Sequence, residues 1–414
     1  MKFKLTSLEK RWIMYDVGNS AFILLVSTIL PIYFNYLADT AGIASHDYLA
    51  YWGYAISAST LIVAFLAPTL GSIADAKDFK KKLFTISLVI GVAACVLLGA
   101  TSSWLVFLII FVIAKSAYST SLVFYDSMLA DVTSEDRMDV VSSHGYAWGY
   151  IGSCIPFVVS LLLVLGAGNL GISMPTAMLG ALFITAAWWL LTTLPLLKSY
   201  RQIHFADTGH HVMKNSFLRL GRTLKEITKD KKVFLFLIAF FFYIDGVYTI
   251  IDMATAYGSA LGLDTTGLLL ALLVTQIVAF PCALIFGRLS KIYATSLLIR
   301  TCIGAYFCIA LYAVRLDSQF DFWILAVFVG MFQGAVQALS RSHFARIIPA
   351  EKSGEYFGLL DICGKGASFF GTFLVSFISQ ITGNPNAGVG SLAVLFFIGF
   401  LFFQRAEKEN ARQS

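Results

Sequence analysis

Five polar side chains interrupt long apolar stretches of this sequence. They are two lysines, one aspartate and two glutamines: Lys115, Lys365, Asp245, Gln276 and Gln333. A charged side chain at the centre of a bilayer costs roughly 2.5–3.5 kcal/mol on insertion scales, so such residues usually serve a function. Ammonium groups bind anions, a carboxylate binds a cation or a proton, and amides hydrogen-bond to either kind of group. These residue types predict a polar pocket for a small molecule.

The depth of the charged residues favours one shared pocket. At about 1.5 Å per residue, Lys115 lies roughly 16 Å, Asp245 roughly 18 Å and Lys365 roughly 14 Å into its apolar stretch. Two ammonium groups against one carboxylate suit a substrate with an anionic group, and a zwitterion uses both signs. Protonation of Asp245 offers a switch, because burial favours the neutral carboxyl group. Asp252 follows one heptad later, where we expect an outer vestibule.

Structural roles for the same residue types stay open at this point. Asp245 and a lysine could form a structural ion pair, and Gln276 and Gln333 could join neighbouring helices by hydrogen bonds. Asp16 and Asn19 lie one to two turns inside the first apolar stretch. For them a gate or a packing role is as good an interpretation as substrate contact.

The elements that position these residues are membrane-spanning helices. The chain has 414 residues, of which 58% are hydrophobic and 13% charged, and its mean hydropathy is +0.78. Soluble domains are about 45–50% apolar and about 25% charged, so an ordinary soluble enzyme is excluded. The six cysteines all lie inside apolar stretches, which favours reduced thiols over a disulfide framework or a metal site.

Twelve spans are predicted, since one crossing needs about 20 apolar residues. They cover residues 12–38, 48–72, 83–101, 104–126, 143–165, 176–197, 233–258, 265–286, 294–314, 321–340, 356–380 and 388–403. The connections on one side hold 26 of the 30 Lys and Arg residues. The positive-inside rule therefore predicts that both chain termini and the central loop are cytoplasmic.

The central loop divides the chain into two similar parts. We predict an N-terminal six-helix bundle, a central loop, a C-terminal six-helix bundle and a cytoplasmic tail over residues 1–197, 198–232, 233–403 and 404–414. A shift of 215 residues superposes Ser127 on Ser342, Ala130 on Ala345, Asp136 on Glu351, Arg137 on Lys352, Gly149 on Gly364 and Ser153 on Ser368. Such an internal repeat is typical of two parallel halves related by an axis along the membrane normal.

Two groups of residues resemble a known family. The connection Gly71-Ser-Ile-Ala-Asp75-Ala-Lys-Asp-Phe-Lys80 resembles the signature between the second and third helices of the major facilitator superfamily. Its glycine permits close helix approach, and its carboxylate can hold basic groups or a helix N-terminus. Within that superfamily, the segments Tyr15–Phe22, Ser340–Pro349, Phe357-Gly358 and Gly364–Ser368 resemble the autophagy-related vacuolar effluxer-like family.

The resemblance implies an all-α polytopic membrane protein with twelve transmembrane helices in two pseudo-symmetric six-helix bundles. It also implies alternating access and export of small solutes, with amino acids as the substrate class. Helices one, four, seven and ten line the cavity of that fold and helix eleven flanks it, so Lys115, Asp245 and Lys365 can share one pocket. A bacterial-type inner or plasma membrane is the expected location.

A sign inversion in the repeat predicts a gate. The 215-residue shift places Asp126 over Arg341 and Asp131 over Arg346, so equivalent ends of spans four and ten carry opposite charges. In the resembled fold these ends approach one another when the cytoplasmic side closes. We therefore expect two ion pairs in the closed state, although solvated faces that never meet would show the same pattern.

The sequence thus favours a secondary transporter for an amino acid or a related anionic or zwitterionic metabolite, with efflux as the direction and protons as the candidate coupling ion. The expected partners are the small-molecule substrate and membrane lipids, with no cofactor, metal or nucleic acid. A lipid or glycolipid flippase of the same fold stays an alternative. A membrane-embedded sensor or enzyme would need a soluble output domain or a catalytic pair. Residues 198–232 are predicted to form an amphipathic lipid-facing or linker helix.

Overall fold

The computed structural model is a bundle of long α-helices and describes residues 4–43, 45–207, 221–223 and 225–413. In the first half the helices are Ser7–Ser27 with Ile29–Thr40, Ser45–Ala74, Phe79–Ala100, Trp104–Ser127, Met138–Leu165 and Met174–Ser199. In the second half they are Lys231–Ala260, Thr265–Leu289, Thr295–Ala313, Gln319–Ile347, Ser353–Thr382, and Pro385–Gly390 with Leu392–Gln413. We number these twelve units as spans one to twelve. Each one coincides with a predicted span.

Most of these helices can cross a membrane by length and composition. Within the described residues, ten are long and apolar enough, and the bent pair of span one adds an eleventh. Span eleven has 30 residues, but its apolar stretch is only Phe370–Thr382. Charged residues such as Asp361 interrupt its first part, so it is less hydrophobic than its neighbours.

Span one shows how local sequence shapes a helix. It begins with a capping box, in which the Thr6 side chain accepts from the Glu9 N–H and the Glu9 side chain accepts from the Thr6 N–H. It bends by 41° after Ser27, where the hydroxyls of Ser27 and Thr28 donate to carbonyl groups one turn earlier. Such bonds compete with the backbone ladder and favour a bend.

The two halves repeat one packing pattern. In the first half the packed helix pairs are spans one–five, one–six, two–four, three–four and three–six. In the second half they are spans seven–eleven, seven–twelve, eight–ten, nine–ten and nine–twelve, which are the same pairs shifted by six. The predicted all-α fold of two pseudo-symmetric six-helix bundles is therefore confirmed. The halves meet through spans two and eleven, four and eleven, five and eight, and five and ten.

Spans two and eleven approach most closely at one end of the bundle. A Cβ atom added at Gly71 would overlap the carbonyl oxygen of Gly354, and one added at Gly358 would lie 2.6 Å from the carbonyl oxygen of Ala67. The backbones of the two halves are thus in direct contact. We call this end, where the connections between spans two and three, four and five, eight and nine, and ten and eleven lie, the basic end.

The start of the central loop also packs at the basic end. Residues 200–205 are not helical, so the predicted helix over 198–232 is wrong there. The reason is that backbone N–H groups of this segment donate to groups of the N-terminal half: those of Ile203 and His204 to the Asp131 carboxylate, and that of Ala206 to the Asp75 carbonyl. Residues 208–220 and 224 of the loop lie outside the described residues.

Candidate functional site

Asp245 lies fully buried in span seven, inside the C-terminal half. Its Oδ1 accepts a hydrogen bond from the backbone N–H of Gly371 in span eleven at 3.0 Å and from the Thr249 hydroxyl at 3.3 Å. Its Oδ2 is buried without a hydrogen-bond partner among the described residues. A buried acceptor in that state is costly, so Oδ2 is the natural position for a proton or a ligand donor.

Gly371 is the residue that lets span eleven reach this carboxylate. A Cβ atom at position 371 would collide with the Thr249 hydroxyl and would lie 2.6 Å from Oδ1 of Asp245. Any side chain would therefore push the carboxylate away from the helix backbone. The glycine is required here for a close approach, not for an unusual backbone angle.

A cavity in the C-terminal half brings the predicted amides near this group. Gln276 of span eight and Gln333 of span ten line it, together with Thr249, Thr275 and a mainly apolar wall. Because Thr249 also donates to Asp245, one hydroxyl connects the carboxylate to the cavity. Gln276 and Gln333 thus line one cavity, and Asp245 is joined to its wall through Thr249.

Lys115 occupies a different place. It lies half-buried in span four of the other half, with its Nζ 6.0 Å from the centroid of the Phe111 ring. Its ammonium group interacts electrostatically with Asp252 of span seven, which is exposed. Asp245 forms no ion pair with a described side chain, Lys115 included, so a structural ion pair of Asp245 could involve only Lys365. Lys365 belongs to span eleven, but its side chain lies outside the described part of the chain.

At the basic end, Arg341 extends from span ten of the C-terminal half into the N-terminal half. Its Nη1 donates to Asp126 at 2.9 Å, its Nη2 lies 3.5 Å from Asp16, and its Nε donates to the Ser142 hydroxyl at 2.9 Å. Arg341 is only 4% exposed. A buried arginine needs such a set of partners, because an unpaired buried charge is strongly destabilising.

Aromatic rings enclose the same guanidinium group. Its central carbon lies 4.7 Å from the ring centroid of Trp12, 4.4 Å from that of Tyr146 and 5.5 Å from that of Tyr125. Stacking on rings is a specific property of arginine that lysine does not reproduce. The position is thus built for arginine.

Asp16 and Asn19 belong to this cluster at the basic end. Asp16 accepts from the Tyr125 hydroxyl at 2.7 Å, and the Asn19 amide lies 3.4 Å from its other oxygen. A Cβ atom at Gly145 would collide with Asp16, so this glycine makes room for the cluster. Asp16 and Asn19 therefore belong to the basic end, and neither lines the cavity of Gln276 and Gln333.

The second predicted pair of the gate is wrong. Arg346 binds Asp139 of span five through both terminal nitrogens, at 3.0 and 2.6 Å, and not Asp131. Ser342 and Thr295, both from the C-terminal half, also donate to Asp139. The 215-residue shift identifies equivalent positions, but equivalent positions need not face each other.

The Asp131 carboxylate binds groups of its own half and of the adjoining central loop. It accepts from the hydroxyl of Tyr200, from two backbone N–H groups of residues 203–204 and from the His204 ring at 2.9 Å. Burial and the Asp131 charge raise the pKa of Tyr200, so its hydroxyl stays protonated and donates. Lys80 lies 3.7 Å from Asp131 and donates to Ser353 of the other half at 2.9 Å.

Asp75 joins the two halves through backbone groups. Its oxygens accept from the N–H groups of Gly354 at 2.7 Å and Glu355 at 3.0 Å, in the first turn of span eleven. The carboxylate thus faces the positive end of the helix dipole. The close packing of Gly71 on Gly354 allows this contact.

Sequence reasoning missed three residues of the basic-end cluster: Tyr125, Asp139 and Ser142. Asp139 carried a usable signal, because it is a carboxylate just before predicted span five, on the side rich in Lys and Arg. Tyr125 adjoins Asp126, which was selected by its charge alone. Ser142 carries no comparable signal, since nothing local distinguishes it from other serines.

Comparison with known proteins is consistent with this architecture. The sequence matches the family described as vacuole effluxer Atg22 like over residues 7–414. It is 41% identical to the uncharacterized MFS-type transporter YxiO of Bacillus subtilis, over 99% of this chain and 97% of that protein.

Solved structures show the same fold. The E. coli fucose:proton symporter superposes with a TM-score of 0.69 at 14% identity, over 97% of both chains. The human organic anion transporter MFSD10 superposes with a TM-score of 0.67 at 13% identity, over 96% of this chain and 98% of that one.

Proposed function

This chain belongs to the vacuole effluxer Atg22-like family and is a multi-pass membrane transporter of the major facilitator fold, and from that premise we propose that it exports an amino acid or a related anionic or zwitterionic metabolite in exchange for protons. The observation that carries the proposal is the Asp245 carboxylate. Its Oδ2 is buried at membrane depth without a hydrogen-bond partner among the described residues. Such an oxygen can take up and release a proton while the rest of the group stays anchored.

The residues around the carboxylate suit a small polar solute. Gln276 and Gln333 offer donors and acceptors within an otherwise apolar cavity. Across the space between the halves, Lys115 and Asp252 supply opposite charges on spans four and seven. This charge arrangement supports a substrate with an anionic group or a zwitterion.

The basic end is proposed to face the cytoplasm, with both termini on that side of a bacterial plasma membrane. Its dense hydrogen bonding between the halves then represents a transporter closed toward the cytoplasm. Single cysteines in a variant without the six native ones test this. A cysteine at Ser102 should react with an impermeant thiol reagent in intact cells, and one at Glu351 only after permeabilisation. The reverse pattern contradicts the proposed orientation.

Transport by purified protein in liposomes tests the function. Amino acids, organic acids and sugars are screened first for stabilisation of the protein, and each hit is then measured for uptake driven by a pH gradient and for counterflow without one. Asp245→Asn should abolish gradient-driven uptake and retain counterflow, because the amide mimics the protonated carboxyl group. Asp317→Asn, in an exposed connection, is the matched control and should behave as wild type.

The outcomes separate the candidate functions. Unchanged gradient-driven uptake in Asp245→Asn would remove this residue from coupling. Loss of both uptake and counterflow would make Asp245 a structural residue. Movement of labelled lipids without solute uptake would favour the flippase.

A further inference from the structure

Span eleven contacts both Asp245 and the basic end. Near its middle, the Gly371 N–H donates to Asp245 at 3.0 Å. In its first turn, the N–H groups of Gly354 and Glu355 donate to Asp75 of the other half at 2.7 and 3.0 Å. Between these two points the helix is unbroken and about 25 Å long, at about 1.5 Å per residue. One rigid element is therefore held by two carboxylates, one in each half.

We propose that span eleven transmits the protonation state of Asp245 to the basic end, with Gly371 and Thr249 as positioning residues. The inference rests on the proposed role of Asp245 as the proton acceptor. A proton from solvent binds Oδ2, and no other covalent bond changes. A neutral carboxyl group is a weaker acceptor than a carboxylate, so Oδ1 holds the Gly371 N–H less strongly. Span eleven then shifts against span seven, and its first turn leaves Asp75.

The contacts of that first turn favour an all-or-none opening. Ser353 also accepts from Lys80 at 2.9 Å, and the Gly354 backbone packs directly on Gly71. A displacement of the turn breaks these contacts together with those to Asp75. Packed interfaces of this kind switch between discrete arrangements instead of deforming continuously.

Charged groups on the helices around span seven bear on how Asp245 responds to pH. Those on the helices packed against span seven include Asp361 and Lys365 of span eleven, Arg341 of span ten and Arg405 of span twelve. The side chain of Lys365 lies outside the described residues. Arg341 is bound to carboxylates of the N-terminal half, and no described cation forms an ion pair with Asp245. Asp252 lies two turns further along span seven.

The distance between spin labels at Lys77 and Glu351 measures the opening, since these exposed positions lie in the connections that precede span three and span eleven. The labels are placed in a cysteine-replaced background that retains transport. We expect the distance to be short at high pH and long at low pH. Asp245→Asn should make the distance independent of pH and shift its distribution toward the long value, with both conformations still populated. Thr249→Val removes one hydrogen bond to the carboxylate and should raise the midpoint of the opening by about one pH unit.

Gly371→Ala separates the helix from the carboxylate and should abolish the pH response while Asp245 is still present. Gly304→Ala is the matched control, because a Cβ atom at Gly304 meets nothing within 4 Å. The inference is overturned if Gly371→Ala and Thr249→Val both open at the pH of this control. It is also overturned if Asp245→Asn loses gradient-driven uptake but keeps the pH response of the distance, which leaves the proposed function intact. If Asp245→Asn keeps gradient-driven uptake, the proposed function itself fails, and the inference fails with it.

Discussion

At the basic end, the carboxylates that join the two halves each face a cation or a helix N-terminus, whereas the described partners of Asp245 are neutral donors of its own half. Asp126 and Asp139 bind arginines of the C-terminal half, and Asp75 binds the first turn of span eleven. Asp245 accepts from Thr249 and Gly371 alone among the described residues.

This difference assigns the two regions different roles. Contacts between the halves exist only while the basic end is closed, so their energy biases the equilibrium between conformations. Contacts within one half survive the motion. Asp245 therefore cannot close the protein directly, but it can change its protonation state in either conformation. Contacts at the basic end set the ratio of closed to open protein, and protonation of Asp245 makes that ratio depend on pH.

Removal of the Arg341 guanidinium should have the largest effect. Arg341→Met leaves the buried Asp16 and the partly exposed Asp126 without their cation in the closed state, at a cost of about 3 kcal/mol, the low end for a broken buried pair. We expect the basic end to stay open at all pH values, with a long distance between labels at Lys77 and Glu351 and little transport. Arg405→Met is the control, since Arg405 is exposed and stacks on Phe402 within one half. A closed basic end in Arg341→Met would contradict the gate.

The sequence predicted the helices and their charged ends better than it predicted which charged side chains meet. Hydropathy placed the helices of all twelve spans, because burial in lipid imposes a run of apolar residues on a crossing, although in span eleven that run covers only Phe370–Thr382. The repeat identified the charged ends of spans four and ten, and the Asp126–Arg341 contact forms. The partner of Arg346 was wrong because which side chains meet depends on helix rotation, which no local pattern records. Likewise, Gly371 looks like any small residue of span eleven until its N–H is seen beside Asp245.

Two double-mutant cycles should show the next largest effect, and they test whether Arg346 pairs with Asp139 or with Asp131. Arg346 and Asp139 are joined by two charged hydrogen bonds, so Arg346→Gln and Asp139→Asn should couple by about 1.5–3 kcal/mol in the closed–open equilibrium. Arg346→Gln and Asp131→Asn should couple by about zero, because the described partners of Asp131 belong to its own half and the adjoining loop. Equal coupling in both cycles would mean that Arg346 exchanges between the two carboxylates.

The smallest effect is expected for the ion pair of Lys352 with Glu226, although it too lies at the basic end. Its atoms are 2.8 Å apart, but the two side chains are 28% and 54% exposed. Exposed pairs contribute about 0–1 kcal/mol and are screened by salt. Lys352→Gln should therefore change the open fraction by only a few-fold at low ionic strength, and the change should vanish at about 0.5 M salt, where the screening length is only a few ångströms. The effect of Arg341→Met should persist at the same salt concentration, because the side chains of Arg341 and Asp16 are only 4% and 8% exposed. A salt-resistant effect of Lys352→Gln would show that this contact is desolvated in the working transporter. If the effect of Lys352→Gln is small and salt-sensitive, burial of the charged groups, and not the mere presence of opposite charges, distinguishes the gate from the rest of the basic end.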